Sequence, residues 1–143
     1  MNKFLFFSGT FSLLTALLHI AIIIGGPDWY RFWGAGEQMA TMEENGSLLP
    51  ELPELITFFI AVIFLIWGLY AYSGAGLVRR LPLLKTALVL ISLIYTVRGL
   101  FLVTFIFQPN QMTGFLFWTS LVSLTVGLIH LLGTKQVWAG LSK

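Results

Sequence analysis

Apolar residues occupy this chain in four long runs that are separated by shorter polar stretches. A helix needs about 20 apolar residues to cross the hydrocarbon core of a bilayer, and each run is close to that length or longer. The runs cover residues 4–25, 55–73, 83–107 and about 113–133. This pattern predicts an all-α fold, a four-helix transmembrane bundle, with residues 1–143 forming a single integral membrane domain.

The composition indicates the same class of protein. Of the 143 residues, 57% are hydrophobic and 10% are charged, whereas a soluble domain carries about 25% charged residues. The absence of cysteine excludes disulfides, iron–sulfur clusters, thiolate zinc sites and dithiol redox chemistry. Lys3 precedes the first run as in a signal peptide, but the run exceeds the roughly 7–15 apolar residues of such a peptide. We therefore interpret it as the first transmembrane helix.

Basic residues concentrate on one side of the predicted four-helix topology. They are Lys3, Arg79, Arg80, Lys85, Lys135 and Lys143, whereas the opposite side holds only Arg31. By the positive-inside rule we expect both the N and C termini to be cytoplasmic. All six acidic residues belong to the connection between the first two helices, which with Arg31 has a net charge of −5. We expect a structured acidic external loop there, and no nucleic-acid-binding surface.

The first connection, residues 25–53, is long for so small a protein, and long loops often cover a site. It carries Trp29, Tyr30, Phe32 and Trp33 around Arg31. Such aromatic residues are typical of an anchor at the membrane–water interface; the alternative is a lid over the external mouth of the bundle. The segment EQMATMEEN predicts a short helix. The glycines before it do not complete the G-x-G-x-x-G motif, so no nucleotide site is predicted.

In each of two predicted helices, the small and polar residues lie on one face of the helix. In the first helix they are Ser8, Ser12, Thr15 and His19, and in the fourth they are Thr119, Ser120, Ser123, Gly127, His130 and Thr134. In a membrane such faces turn toward other helices, where small hydroxyl residues allow close packing and interhelical hydrogen bonds. For His19 two roles stay open, a structural one and one as a ligand or proton carrier.

One charged residue, Arg98, lies inside the third apolar run, about 13 Å from its external end by helix rise. A central arginine costs roughly 2.5–3.5 kcal/mol on insertion scales, so a chain keeps one where the protein compensates the charge. The side chain either snorkels to external headgroups or faces inward, bonded to a carboxylate or a ligand anion. We favour the second alternative, in which the external half of the bundle gathers Arg98, His19 and Tyr95.

The two histidines do not predict a shared haem. His19 is expected in the external half and His130 near the cytoplasmic end, about 20 Å apart by helix rise. A bis-histidine haem instead places both imidazoles about 2 Å from one iron. Neither histidine belongs to a pair with metal-ligand spacing. No metal site is predicted, the cofactor is unknown, and His130 receives no role.

Three stretches carry a family resemblance that covers nearly the whole chain: LLHIAIIIGGPDWYRFWGAGEQMA, LIWGLYAYSGAG and IYTVRGL. The chain resembles a group of small four-helix bacterial inner-membrane proteins known mostly as uncharacterised sequences. The resemblance implies the four-helix topology and a location in the bacterial inner membrane. It transfers no activity.

Three functions fit these features. The first is a small inner-membrane protein whose polar pocket, in the external half of the bundle, binds a lipid-like or small anionic ligand, or which serves as an accessory subunit. The second is an enzyme acting on a lipid-like substrate with a His19–carboxylate acid–base pair, and the third is an oligomeric small-solute transporter. The expected ligand-binding residues are His19, Arg98, Tyr95, Glu37, Glu54, Trp29 and Tyr30. The expected partners are membrane lipid and a second copy of the chain or a larger membrane complex.

Overall fold

The fold is helical in the part of the chain that the computed structural model describes, residues 1–34, 37–44, 52–107 and 113–142. The α-helices there are α1 (Lys3–Gly25), α2 (Pro27–Phe32), α3 (Glu37–Glu44), α4 (Leu52–Ala75), α5 (Leu84–Gly99), α6 (Thr104–Phe107) and α7 (Gly114–Val137). Two 3-10 segments, Leu100–Val103 and Trp138–Ser142, follow α5 and α7.

Within these ranges four helical stretches are long and apolar enough to cross a bilayer, which confirms the four predicted spans. They are Lys3–Gly25, Leu52–Ala75, Leu84–Val103 and Gly114–Leu141. The fold is therefore that of a multi-pass, all-helical membrane protein. The short helix predicted before residue 45 is confirmed as α3, whereas α2 occurs where the sequence predicted only an aromatic loop.

The third apolar run is less regular than its hydropathy predicts. The N–H of Leu100 is shared between the carbonyls of Thr96 and Val97, so the hydrogen-bond pattern changes from α to 3-10 just after Gly99. The α pattern resumes only at Thr104. Hydropathy does not detect this change, because apolar side chains are compatible with both hydrogen-bond patterns.

The chain forms two compact units. The first unit comprises Met1–Ser12 and Ile66–Lys143, and the second comprises Leu13–Leu65. The division falls within α1 and within α4, so each of these helices contributes residues to both units. The units are described separately below.

Four helical segments pack together in the first unit: the start of α1, the end of α4, α5 and α7. The segments α1 and α7 are antiparallel, since Asn2 bonds to Gln136 while Ser8, six residues later, bonds to His130, six residues earlier. One end of this bundle is an apolar cluster, formed by Leu5, Ala75, Leu84 and Leu88.

The middle of the first unit is polar. Its buried polar residues include Ser8, Ser12, Ser92, Ser120, Ser123, His130 and Thr134. This confirms that the polar faces predicted for this part of α1 and for α7 turn inward. Lipid tails are as apolar as leucine, so association of these helices depends on close packing and on hydrogen bonds between small polar residues.

Two glycines set the spacing of α5 and α7, which are antiparallel. A Cβ atom added to Gly99 would lie 2.5 Å from backbone atoms of Leu124, and one added to Gly127 would lie 2.8 Å from the backbone nitrogen of Thr96. Real Cβ atoms do not approach backbone so closely. The two helices can therefore contact each other backbone to backbone only because these positions lack a side chain.

The second unit begins its turn out of α1 at Gly26, whose φ of 70° and ψ of −156° are accessible mainly to glycine. Pro27 then occupies the first turn of α2, where its missing N–H costs nothing. The short helices α2 and α3 pack around a cluster formed by Ile22, Tyr30 and Ala40. A small apolar core thus holds these connecting helices against the last part of α1.

A salt bridge joins α2 to α3. Two nitrogens of Arg31 each lie 2.9 Å from an oxygen of Glu37, and a third lies 3.3 Å from Asp28. This fork geometry fixes the angle between guanidinium and carboxylate as well as their distance. The hydrogen bonds from Arg31 lower the pKa of Glu37 below its ordinary value.

Candidate functional site

Arg98 in α5 is bonded to hydroxyl groups of α7. Its guanidinium donates to Ser120 Oγ at 2.7 Å and to Thr119 Oγ1 at 3.1 Å. The close approach of the helices at the adjacent Gly99 brings these hydroxyls within reach. The ring of Phe101 lies 5.7 Å from the guanidinium carbon, a distance compatible with a cation–π contact.

The charge of Arg98 has no carboxylate partner among the described residues. The ion pairs found there are those of Arg31 with Asp28 and with Glu37. A guanidinium has five N–H donors, of which Arg98 directs two to the neutral hydroxyls named above. The side chain is half-buried. Arg98 therefore retains both its charge and donors for a further acceptor.

Tyr95, one turn before Arg98, connects α5 to three other helices of the first unit. Its hydroxyl lies 2.9 Å from Ser12 Oγ, and its carbonyl accepts from Ser123 Oγ at 3.0 Å. Its ring meets the Trp67 ring edge to face at 5.0 Å between centroids. These contacts fix the position of the α5 turn that carries Arg98, so Tyr95 acts as a positioning residue.

A histidine that sequence reasoning left without a role, His130, lies in the same polar interior. Its Nδ1 is 2.9 Å from Ser8 Oγ, which also lies 3.2 Å from the Leu5 carbonyl oxygen. If the Ser8 hydroxyl donates its proton to the Leu5 carbonyl, Nδ1 of His130 is protonated and donates to Ser8 Oγ, and Nε2 carries a lone pair. In the other tautomer the hydroxyl donates to Nδ1, and Nε2 carries the proton. In both cases Nε2 is buried without a hydrogen-bond partner among the described residues. Such a group costs roughly 1–3 kcal/mol, which offsets the stabilisation that the bond to Ser8 contributes.

The Ser8–His130 pair does not form a hydrolase triad within the first unit. A triad needs a carboxylate to orient the imidazole, and all six acidic residues lie between positions 28 and 54, in the second unit. Ser8 is also 2% exposed. The pair is suited to holding α1 against α7.

His19 belongs to the second unit. Its Nδ1 lies 2.7 Å from the carbonyl of Thr15 on the same helix, and because a carbonyl only accepts, Nδ1 is the donor. Its ring lies 5.4 Å from the ring of Phe64 in α4. Since His19 and Arg98 lie in different units, their predicted grouping stays a prediction.

The remaining predicted site residues also lie in the second unit. Tyr30 is fully buried in the small core, whereas Trp29 is 42% exposed. Glu37 is engaged by Arg31. Glu54 lies in the first turn of α4, and its Oε2 is buried without a hydrogen-bond partner within the described ranges. The structure thus gives Tyr30 and Glu37 structural roles. It leaves the Trp29 side chain partly exposed, and it leaves one carboxylate oxygen of Glu54 without a hydrogen bond to any described residue.

The residues that sequence reasoning did not include in the site are the two hydroxyl partners of Arg98. Thr119 and Ser120 were assigned to a polar face of the fourth helix, but that face was not connected to Arg98. The available signal was distance along the chain: in an antiparallel pair of helices with a short connection, residues equally far from the turn lie side by side. The apolar runs that end at residue 107 and begin at about residue 113 predict a connection at residues 108–112. Position 98, ten residues before this connection, is therefore expected beside position 122, close to Thr119 and Ser120.

No family model, no curated protein and no solved structure matches this chain. No group of three or more histidine, cysteine or acidic residues in the described part of the chain could hold a metal ion. What the structure shows of the class of protein is that it is a multi-pass, all-helical membrane protein, with four helices in the described ranges long and apolar enough to span a bilayer.

Proposed function

We propose that this chain is a small membrane protein that binds a lipid-like or small anionic ligand at Arg98. The observation that carries the proposal is the pairing of this guanidinium with two neutral hydroxyls, Ser120 and Thr119, inside a membrane span. An arginine held in that environment with no carboxylate partner in the described part of the chain favours an anion as its partner. Thr119 and Ser120 would then orient the guanidinium and leave its other donors for the ligand.

The ligand in this proposal carries a phosphate or a carboxylate. Arginine presents its donors in a planar fork that fits two oxygens of either group. Phe101, close to the guanidinium, offers an apolar surface beside the charged site. A lipid fits this combination, because its headgroup and its acyl chains need a cation and an apolar wall side by side.

The proposed placement follows from charge. With both termini cytoplasmic and the acidic connection between the first two spans external, the basic residues outside the spans other than Arg31 face the cytoplasm. Arg98 then lies in the external half of the membrane. The proposed location is the bacterial inner membrane, where the protein acts alone, as a homo-oligomer or as an accessory subunit.

Binding is better supported than catalysis or transport. His19 bonds to a backbone carbonyl rather than to a carboxylate, so a His–carboxylate acid–base pair has no support from its hydrogen bonds. The hydroxyls of Ser8, Ser12 and Ser120 are hydrogen-bonded within the bundle. This bonding favours a packing role over the lining of an open polar path toward His130.

The test is native mass spectrometry of the full chain purified in detergent, with short-chain phosphatidylglycerol as the probe. Hydrogen bonds to a charged group are worth about 1.5–3 kcal/mol, so Arg98→Gln should weaken binding by about ten- to one-hundred-fold. Arg98→Leu should also abolish retention of any co-purified ligand while leaving expression intact. The matched control is Arg31→Gln, which removes a cation from the other unit and should leave this binding unchanged.

A second control separates ligand binding from helix packing. Ser120→Ala with Thr119→Val removes the hydroxyls but keeps the charge, so this variant should still bind the probe, although more weakly. If Arg98→Gln binds phosphatidylglycerol as tightly as the unmodified chain does, or if the unmodified chain binds none, the proposal is wrong.

A further inference from the structure

The short helix α2 exposes an aromatic face just beyond the end of a membrane span. Trp29 and Phe32 are 42% and 74% exposed, and residues three apart on a helix are neighbours on one face. Ile24, in the last turn of α1, is 81% exposed. Exposed apolar side chains are ordinary within a span, but α2 lies outside the candidate span Lys3–Gly25. The span itself therefore does not explain what covers this aromatic face.

The ring of Trp29 gives the depth of this face. A Cβ atom added to Gly25 would overlap three atoms of the Trp29 ring, so the ring lies directly against the backbone at that position. Gly25 is the last residue of the candidate span. The aromatic face therefore lies at the level where the hydrocarbon core gives way to the lipid headgroups.

The other sides of α2 have contacts of a different kind. Tyr30 is fully buried in the small apolar core of the second unit. Arg31 is bonded to the exposed carboxylates of Asp28 and Glu37. The helix thus has one side held by the core, one side that is polar and hydrated, and one side that is aromatic and exposed.

The charge of the second unit limits which lipids can attract it. Its side chains, six acids and Arg31, sum to −5, and it contains neither chain terminus. Anionic headgroups therefore repel this unit, and attraction between charges cannot hold α2 against a membrane. Aromatic rings need no such attraction, because an indole places its apolar body and its N–H group at the boundary between acyl chains and headgroups.

We propose that the Trp29–Phe32 face of α2 inserts into the headgroup layer of the bilayer, where it continues the lipid-covered surface that begins at Ile24. The partner is the lipid surface itself, and zwitterionic lipid is sufficient for the contact. This insertion makes α2 an anchor for the acidic connection instead of a lid that closes over other helices. It does not depend on ligand binding at Arg98.

The experiment measures the depth of spin labels on the full chain in phosphatidylcholine vesicles. The chain contains no cysteine, so a variant with a single cysteine carries the label at one position only. The label at Phe32→Cys should lie about 5–10 Å below the lipid phosphates. It should therefore collide often with oxygen, which concentrates in the acyl chains, and rarely with a water-soluble nickel chelate.

Two variants of the same unit serve as references. Asp28→Cys places the label on the polar side of α2, where collisions with the nickel chelate should dominate. Phe59→Cys places it on an exposed position inside the span formed by α4, where collisions with oxygen should dominate. The label at Phe32→Cys should resemble the second reference more closely than the first.

Two results would overturn the proposal. If the labels at Phe32→Cys and Asp28→Cys collide equally often with the nickel chelate, the aromatic face lies in water. If the label at Phe32→Cys collides rarely with both reagents, protein covers the face, as in a lid or a contact with a second copy of the chain.

A second measurement leaves Phe32 unchanged, so it also applies if the cysteine variant does not fold. The difference in tryptophan emission between the unmodified chain and Trp29→Phe isolates the contribution of Trp29. This difference should decrease in vesicles of brominated phosphatidylcholine, because bromine on the acyl chains quenches an indole that lies among them. A difference that keeps its full size in these vesicles would contradict the insertion.

Discussion

The spacing of α5 and α7 can be tested at Gly99, where replacement by alanine adds one methyl group. The added Cβ would lie 2.5 Å from the N, Cα and Cβ atoms of Leu124, about 1 Å closer than ordinary contact between carbon atoms. Two of these atoms belong to the backbone, so a rotamer change cannot relieve the clash. The helices have to separate, and the hydrogen bonds from Arg98 to Ser120 and Thr119 lengthen with them.

Two opposing contributions determine how much Gly99→Ala changes the free energy of unfolding. Overpacking of a close-packed interface costs about 1–3 kcal/mol, and contact with backbone places Gly99→Ala near the upper end of that range. Alanine in place of glycine gains about 1 kcal/mol of helix propensity. Gly99→Ala should therefore lower the free energy of unfolding by about 2 kcal/mol, measured by circular dichroism during titration with sodium dodecyl sulfate in mixed micelles.

The control is Gly114→Ala, at the first residue of α7, where an added Cβ meets nothing within 4 Å. This variant should be as stable as the unmodified chain or slightly more so. Gly127→Ala, whose Cβ would lie 2.8 Å from the backbone of Thr96, should behave like Gly99→Ala. If Gly99→Ala and Gly114→Ala unfold with the same free energy, α5 and α7 do not pack as described.

Two further outcomes are expected. A double-mutant cycle with Ser12→Ala and Tyr95→Phe should give a coupling of about 0.6 kcal/mol, the average for such pairs in membranes, and a coupling of zero would show that these hydroxyls do not interact. Because the hydrogen bonds from Arg31 lower the pKa of Glu37, the stabilisation of the α2–α3 pair should be complete above the ordinary glutamate pKa of 4.5 and be lost as the pH falls through the lower, folded-state pKa. The ¹³C shift of the Glu37 carboxyl reports this titration. Arg31→Gln should raise the pKa of Glu37 toward its ordinary value, and an unchanged pKa in that variant would contradict the contact between Arg31 and Glu37.

The membrane spans were predictable from the sequence because the hydropathy of a span is summed over many residues. Each helix collects about 20 apolar residues, so single polar residues such as His19 or Arg98 do not obscure it. The end of α5 at Gly99 and the helix α2 were not predictable in the same way. Both depend on which carbonyl accepts a particular N–H, and hydropathy does not report that choice.

The candidate site was predictable only in part. The cost of a charge in a membrane identified Arg98, and the period of the α-helix identified the polar face of α7 that contains its partners. The sequence alone did not bring the two together, because the contact depends on the register between α5 and α7, which Gly99 and Gly127 set. His130 shows a related limit, since the lack of a hydrogen-bond partner for its Nε2 among the described residues is a property of the packed interior and not of any local pattern.

The pairing of α1 with late parts of the chain has a consequence for biosynthesis. Ser8 bonds to a residue 122 positions later, and Ser12 to one 83 positions later. At a synthesis rate of about 5–20 residues per second, the first helix waits roughly 6–25 s before its last partner exists. During that interval both hydroxyls can donate to carbonyls of α1 itself, Ser8 to Leu5 and Ser12 to Ser8, so the helix can wait in the membrane with these donors satisfied.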